Sequence, residues 1–469
     1  MRPYGLAFTI IGLFVATLKT VGIGQIPGSD RPPSVAITHV TVIDTAYGSA
    51  RPDMSVVVTG ARITEIGKSD TVKVQTGSFI IDGRGRYLVP GLWDMHVHVF
   101  NAGDGKGTDT SEYSFPLLVA NGVVGVRDMR TDSGDIVKAN RWNADIAAGQ
   151  LVGPRFLVTS RIVDGDPPNG SDSLVVRTAE DGRAAVRSLK ASGARMIKVY
   201  WNVPRDAYFA IATESKRQHI RFGGHVPYEV GADEASNAGQ LTIEHLDGVD
   251  QACSSKESDW RSSRRTPADV VEMRRTFDVT KCSALADRFR RNGTWLVPTA
   301  VVFYDPTGVD HWSRLKYASP GAMDRMNRNV PKGGDRFGLR DSEIALRHAL
   351  RRVGPSLFLA GTDLSRRRPT NLPGFSLHDE LALFVEFGFT PAEALRAATY
   401  NAAKFANGLS EYGTVEKGKR ADLVLLNANP LEDIRNSSKI DAVMLNGTML
   451  DRSKLDALLS AGEAAAKRQ

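Results

Sequence analysis

The chain has 469 residues, 42% of them apolar and 24% charged, with a formal net charge of +7. That length holds a large domain and a smaller one, and the composition excludes a disordered chain. No interior apolar span reaches the roughly 20 residues of a membrane helix, which excludes a multispanning membrane protein. The two cysteines exclude a disulfide scaffold and a four-cysteine zinc site.

Residues 1–30 read as a signal peptide and leader. Arg2 precedes the 13-residue apolar run Gly5–Thr17, and Lys19 interrupts it. The run is short for a membrane span and fits a secretory signal. Contact with a membrane follows only if this segment is retained. Export places the protein in the periplasm or outside the cell, where Cys253 and Cys282 could pair; the sequence leaves that pairing open.

Residues 31–88 hold short β-branched runs (VAITHVTVIDT, MSVVVTGARITEIG, GSFIIDGRGRYLVPG) broken by Gly and Asp turns. A matching block spans 411–455 (YGTVEKGKRADLVLLNANP, KIDAVMLNGTML), and 456–469 read as a C-terminal tail. The two blocks predict one small β-sandwich domain built from both ends of the chain. DGRGRYLVPG has glycines but lacks the spacing and the following helix of a dinucleotide loop.

Between them, residues 89–410 alternate short apolar strands with helical patterns. The strands end at GLWDMHVHV, GVVGVRDM, PRFLVTS, ARMIKVYW, IRFGGHV, LTIEHL, TWLVPTAVV and SLFLAGTDLS. Eight strands alternating with helices predict an α/β fold, a (β/α)8 TIM-like barrel. Two connections are long, 247–294 and 302–356, and follow the sixth and seventh strands; connections of that length carry lids or functional loops. They contain most of a basic stretch, 254–355, with 20 Lys or Arg against 12 Asp or Glu. It lacks the interleaved aromatics of a single-strand nucleic-acid groove, so no nucleic-acid partner is expected. It reads either as a solvated helical face or as a positive rim that attracts a substrate carrying a free carboxylate.

Polar residues end several of these apolar strands. His96 and His98 are two apart on the first, so both imidazoles project to one side. Lys198 sits inside MIKVYW, where a buried, unpaired ammonium costs several kcal/mol and must be paired, neutralised or chemically altered. His225, His245 and Asp363 end the fifth, sixth and eighth strands. Taken singly, each histidine also reads as a satisfied core residue, Asp363 as a helix cap and Lys198 as a barrel salt bridge. Together they put four imidazoles, a carboxylate and a lysine at one barrel mouth, a set suited to a divalent metal such as zinc. His39 falls in the β block, and His219, His311 and His348 read as surface or helix residues. His378 opens the helix after the eighth strand, within possible reach of a substrate.

GLWDMHVHV, IKVY, GGHVP, TIEHLDG and AGTDLS resemble the metal signature of the amidohydrolase superfamily. FGFTPAEALRAATYNAAKFANGLSEYGTVEKGKRADLVLLNANPLEDI resembles its last helices and closing β segment, so the likeness runs from about Val35 to Leu450. Within the superfamily the chain most resembles the imidazolonepropionase-related and prolidase-like branch. The resemblance implies a metal-dependent hydrolase of carbon–nitrogen bonds, in non-peptide amides, dipeptides or N-acyl amino acids. It implies two divalent ions, with zinc expected: one held by His96, His98 and Asp363, one by His225 and His245. Lys198, carbamylated by carbon dioxide, would bridge them. A metal-bridging hydroxide would attack the carbonyl, with Asp363 as general base and then general acid. Single-metal relatives lack this lysine, so Lys198 favours two ions. The sequence departs from some prolidase-like relatives at Pro227, where they carry a second histidine; Tyr228 follows and could donate to a substrate carbonyl. The alternatives are a mononuclear deaminase or cyclic-amide hydrolase of the same fold, and a secreted binding protein without catalysis. A small-molecule substrate and a homo-oligomer are the expected partners.

Overall fold

A computed structural model describes residues 34–100, 109–260, 266–329, 340–365 and 371–468. The leader 1–30 lies outside the described residues. The chain begins with β1 (Val35–Asp44), β2 (Ser49–Thr59), β3 (Arg62–Lys68), β4 (Phe79–Asp82) and β5 (Tyr87–Pro90). The middle supplies β6 (Leu92–Val97), β7 (Val123–Asp128), β8 (Arg155–Val158), β9 (Ile162–Asp164), β10 (Leu174–Val175), β11 (Met196–Val199), β12 (Arg221–Gly224), β13 (Thr242–Glu244) and β14 (Trp295–Val297). It ends with β15 (Leu423–Leu426), β16 (Ile440–Leu445) and β17 (Thr448–Leu450).

Strands from both ends form one eight-stranded sheet, in the order β17-β16-β15-β5-β1-β2-β3, with β4 beside β1. β5 joins the two halves, pairing with β1 on one side and with β15 on the other. Side chains alternate across a strand, and this sheet uses both faces. Val424, Leu426, Val443 and Leu445 join the core shared with the barrel. Their neighbours Leu423, Leu425, Ala442 and Met444 point the other way, into a second core with Ile37, Val42 and Val56. A one-residue slip would exchange the two sets, so burial on both faces pins the register.

The middle strands are parallel, as β6-β7-β8 and β9-β11-β12-β13-β14, with β10 outside β9. All eight predicted barrel strands are present, two of them irregular. The third is split into β8 and β9 at Thr159 and Ser160, whose backbone N–H groups bond Asp128 O (3.1 Å) and Met196 O (2.8 Å) and so join the two sheets. The eighth runs from Phe358 to Leu364 and closes the barrel by parallel bridges to Leu296 and Val97. Gly361 permits this closure, because a Cβ there would stand 2.9 Å from His96 Cβ.

The described parts of the long connections fold largely as helices. In the first, buried Cys253 and Cys282 form a disulfide that ties the helix Val279–Asn292 to the segment leaving β13. The residues read as a tail continue a helix, Arg452–Lys467, capped by Asp451 and laid against the helix Ser111–Ala120 with Gly462 beside the Leu117 side chain. Among the described residues no helix is long and apolar enough to cross a membrane.

Candidate metal centre

The six side chains singled out above come from five strand ends and meet. His96 and His98 leave the end of β6 and converge on Asp363: His98 Nε2 is 3.0 Å and His96 Nε2 is 3.4 Å from Asp363 Oδ1. Ligand atoms of these three residues lie within 4.8 Å of one another. The His245 ring is 4.8 Å from those of both His96 and His225, centroid to centroid. Lys198 lies fully buried among them, close enough for its charge to act on His96, His225 and His245.

The backbone is strained where these groups are delivered. His245, Thr299 and Asp363 have φ of 59°, 46° and 52°, in the left-handed region that costs a non-glycine residue energy. The strain turns each residue out of its strand direction at the barrel mouth.

Electrostatics prepare the group for cations. Burial, then the charges of Lys198 and neighbouring histidines, hold the His96 and His225 imidazoles well below their ordinary pKa. Burial takes His245 down to about 4. These rings are neutral near pH 7 and present lone pairs. Burial would raise the Asp363 carboxyl, but the His98 hydrogen bond and the surrounding histidines outweigh it, so the group is an anion. Burial lowers Lys198 to about 8, against the attraction of Glu244, so its amine is unusually ready to lose its proton.

Among the described residues, buried His96 Nε2, His98 Nδ1, His225 Nδ1 and Lys198 Nζ have no hydrogen-bond partner. Polar atoms buried without partners cost free energy. Neutral imidazoles, a carboxylate and a deprotonatable amine around such atoms fit a divalent cation.

Other residues hold this set in place, and the sequence reading missed them. Glu244 Oε2 accepts from His96 Nδ1 at 2.8 Å, which turns Nε2 toward Asp363. Glu244 is fixed by Arg127 Nη2 (2.9 and 2.8 Å) and Thr242 Oγ1 (2.6 Å), and Arg127 Nε donates to Met95 O at 2.6 Å. His245 Nδ1 meets Thr299 Oγ1 at 2.7 Å. Asp247, 3.4 Å from His225 Nε2, accepts from Trp201 Nε1 at 2.8 Å. Asp94 accepts from the Thr362 hydroxyl at 2.6 Å and from the Thr362 and His96 backbone N–H groups. A carboxylate behind a ligand histidine fixes its tautomer and raises its basicity. The available signal was a charge inside an apolar strand, in GVVGVRDM and LTIEHL, the same signal that Lys198 gives.

Tyr228 stands farther out. Its ring stacks on Trp201 (6.2 Å, 18°), and Trp201 meets the His225 ring edge-on at 4.6 Å. His378 does not reach a substrate, because its nitrogens bond Ser437 Oγ (2.8 Å) and Asn121 O (3.0 Å) and the residue is buried. His39 pairs with Asp53, away from the barrel mouth. Part of the basic surplus of 254–355 is neutralised by carboxylates outside the stretch: Arg274 pairs with Asp250, Arg288 with Asp233, Arg314 with Asp379, and Arg351 with Glu393.

A closed parallel barrel with histidines, a lysine and a carboxylate at its strand ends, beside a sheet drawn from both ends of the sequence, defines a barrel protein with its site at the C-terminal ends of the strands. The amidohydrolase family pattern matches residues 87–450, and the chain belongs to that family. It is 45% identical over 443 residues to an imidazolonepropionase of Deinococcus radiodurans, covering 89% of this chain and 94% of that protein. An ochratoxinase of Aspergillus niger is 24% identical over 451 residues, covering 86% of this chain and 83% of the other. Among solved structures, a Xaa-Pro dipeptidase with bound methionine in its active site aligns with a TM-score of 0.63 at 21% identity, over 89% of this chain and all of that one, a likeness of fold. The chain is a hydrolase acting on carbon–nitrogen bonds.

Proposed function

We propose that the chain is a binuclear metal hydrolase that cleaves amide bonds of small molecules. His96, His98 and Asp363 would hold one divalent ion and His225 and His245 a second, with Lys198, once carbamylated, as a ligand to both. The observation that carries this reading is Lys198: a fully buried amine without a hydrogen-bond partner, placed among the other five ligands. Carbamylation would replace a costly buried cation with an anionic two-oxygen ligand, and burial makes the amine easier to deprotonate to the form that attacks carbon dioxide.

When bound, zinc ions supply a Lewis acid for the scissile carbonyl and bring the pKa of water from 15.7 toward about 7. Asp363, held by His98 and kept anionic by the histidines around it, receives the proton of the attacking water. The carbon–oxygen bond forms, Asp363 returns the proton to the leaving nitrogen, and the carbon–nitrogen bond breaks. Glu244 keeps the His96 ring from rotating through the cycle. Trp201 and Tyr228 wall the His225 side, where Tyr228 is positioned to contact substrate.

Dipeptides and N-acyl amino acids are the first substrate class to test, supported by the prolidase-like fold likeness. The relatives named imidazolonepropionases favour a second reading, a cyclic amide. Both classes, screened with enzyme reconstituted with zinc in bicarbonate buffer, decide the matter. Turnover lost to a chelator and restored by zinc supports the proposal; chelator-insensitive turnover overturns it. Export of the chain is part of the proposal, supported by the buried Cys253–Cys282 disulfide, a bond that persists in oxidising compartments.

A further inference from the structure

The barrel end away from the histidines carries a second recess. β12 and β14 begin there, at Arg221 and Trp295, and with Phe405 and Ser215 they border a cavity of about 530 Å3. Its floor is aromatic, with Trp295 and Phe405 meeting edge to face at 5.8 Å. Three cations surround it, Lys216, Arg221 and Lys404, and among the described residues no acidic side chain lines it.

These cations differ from those of the basic stretch. Among the described residues, none of the three has a carboxylate within salt-bridge distance, whereas the adjacent Arg217 is paired with Glu214. Arg221 donates Nη1–H to Phe405 O at 2.7 Å with its guanidinium 5.5 Å from the Phe405 ring centre, and the rest of its donor fork is free. Lys404 Nζ lies 5.9 Å from the Trp295 ring centre. Ser215, 1% exposed, adds a buried hydroxyl without a hydrogen-bond partner.

An aromatic floor takes a flat ring, and a guanidinium fork takes a carboxylate. The volume suits a ligand of one or two rings. We propose that this recess binds a small aromatic monocarboxylate, its ring against Trp295 and Phe405 and its carboxylate among Arg221, Lys404 and Lys216. The site shares strands with the catalytic end, since β12 and β13 run from here to His225 and His245, but it shares no residue with it.

The test is calorimetric titration of the zinc-loaded enzyme with 2-naphthoate and with its neutral counterpart 2-naphthamide. The proposal expects one saturable site for naphthoate, weaker by about tenfold or more for naphthamide and in Lys404→Glu and Arg221→Gln. Affinity is expected to be unchanged in Asp363→Asn, whose alteration lies at the other end of the barrel. Lys404 is exposed, so Lys404→Glu keeps the fold, and retained thermal unfolding verifies this for both variants. No saturable binding, equal affinity for the amide, indifference to both substitutions, or loss in Asp363→Asn would each overturn the proposal.

Discussion

The sheet built from the chain ends and the mouth of the barrel obey opposite rules. In the sheet, apolar residues of β15 and β16 alternate between two cores, and partly exposed charges pair, as Arg86 does with Asp441 at 2.7 Å. At the mouth, imidazoles and an amine are buried without hydrogen-bond partners among the described residues. In the sheet, among the described residues, the corresponding group is one neutral hydroxyl, Thr448 Oγ1. At the mouth the unpartnered groups are titratable and fit a divalent cation, and holding them buried costs free energy that the surrounding structure bears.

Substitutions sharpen that contrast. Asp363→Asn should lower kcat by about 100- to 10,000-fold, the range of a lost general acid–base, while thermal unfolding shifts little. Steady-state kinetics beside calorimetry checks this, and a comparable loss of both would make Asp363 a structural residue. Arg127→Met leaves Glu244 buried without its cation, and removing one partner of a buried pair costs about 3–5 kcal/mol. The His96 ring then loses its fixed partner, so weaker metal retention should accompany the lower Tm.

The pH response gives a third contrast. Burial pushes the Glu380 carboxyl up to about 7, against the Arg347 charge and the Val301 N–H. Between the ordinary glutamate range and about 7, the folded protein holds a proton that the unfolded chain has lost. Stability from this residue therefore falls as pH rises through that window, by at most about 3 kcal/mol. Glu380→Gln should reduce the fall in Tm between about pH 5 and about pH 7 without removing it, because burial also raises the Asp94 and Asp128 carboxyls in that window. The smallest effect belongs to the sheet: Arg86→Ala removes a partly exposed pair and should change stability by about 1 kcal/mol or less in chemical denaturation.

The barrel was legible because its strands are buried on both faces and so read as unbroken apolar runs. Pairing leaves no such trace. The break at Thr159–Ser160 and the bridge-only closure at Phe358–Leu364 depend on neighbours distant in sequence. His96, His98, Lys198, His225, His245 and Asp363 stood out as polar groups ending or interrupting apolar strands. Arg127 and Glu244 interrupt strands in the same way, yet neutralise each other, and sequence does not distinguish a satisfied buried charge from a waiting one. The reading of 254–355 as a positive rim, one of two the sequence left open, is weakened for the same reason: Arg351 finds Glu393, and Arg314 finds Asp379, carboxylates that lie outside the stretch.

Metal content per chain, measured after loading with zinc in bicarbonate buffer and removal of free ions, tests the central claim most directly. The account predicts two zinc ions per chain in the native protein and fewer in Lys198→Ala. A full complement in Lys198→Ala, or no retained zinc in the native chain, would contradict it.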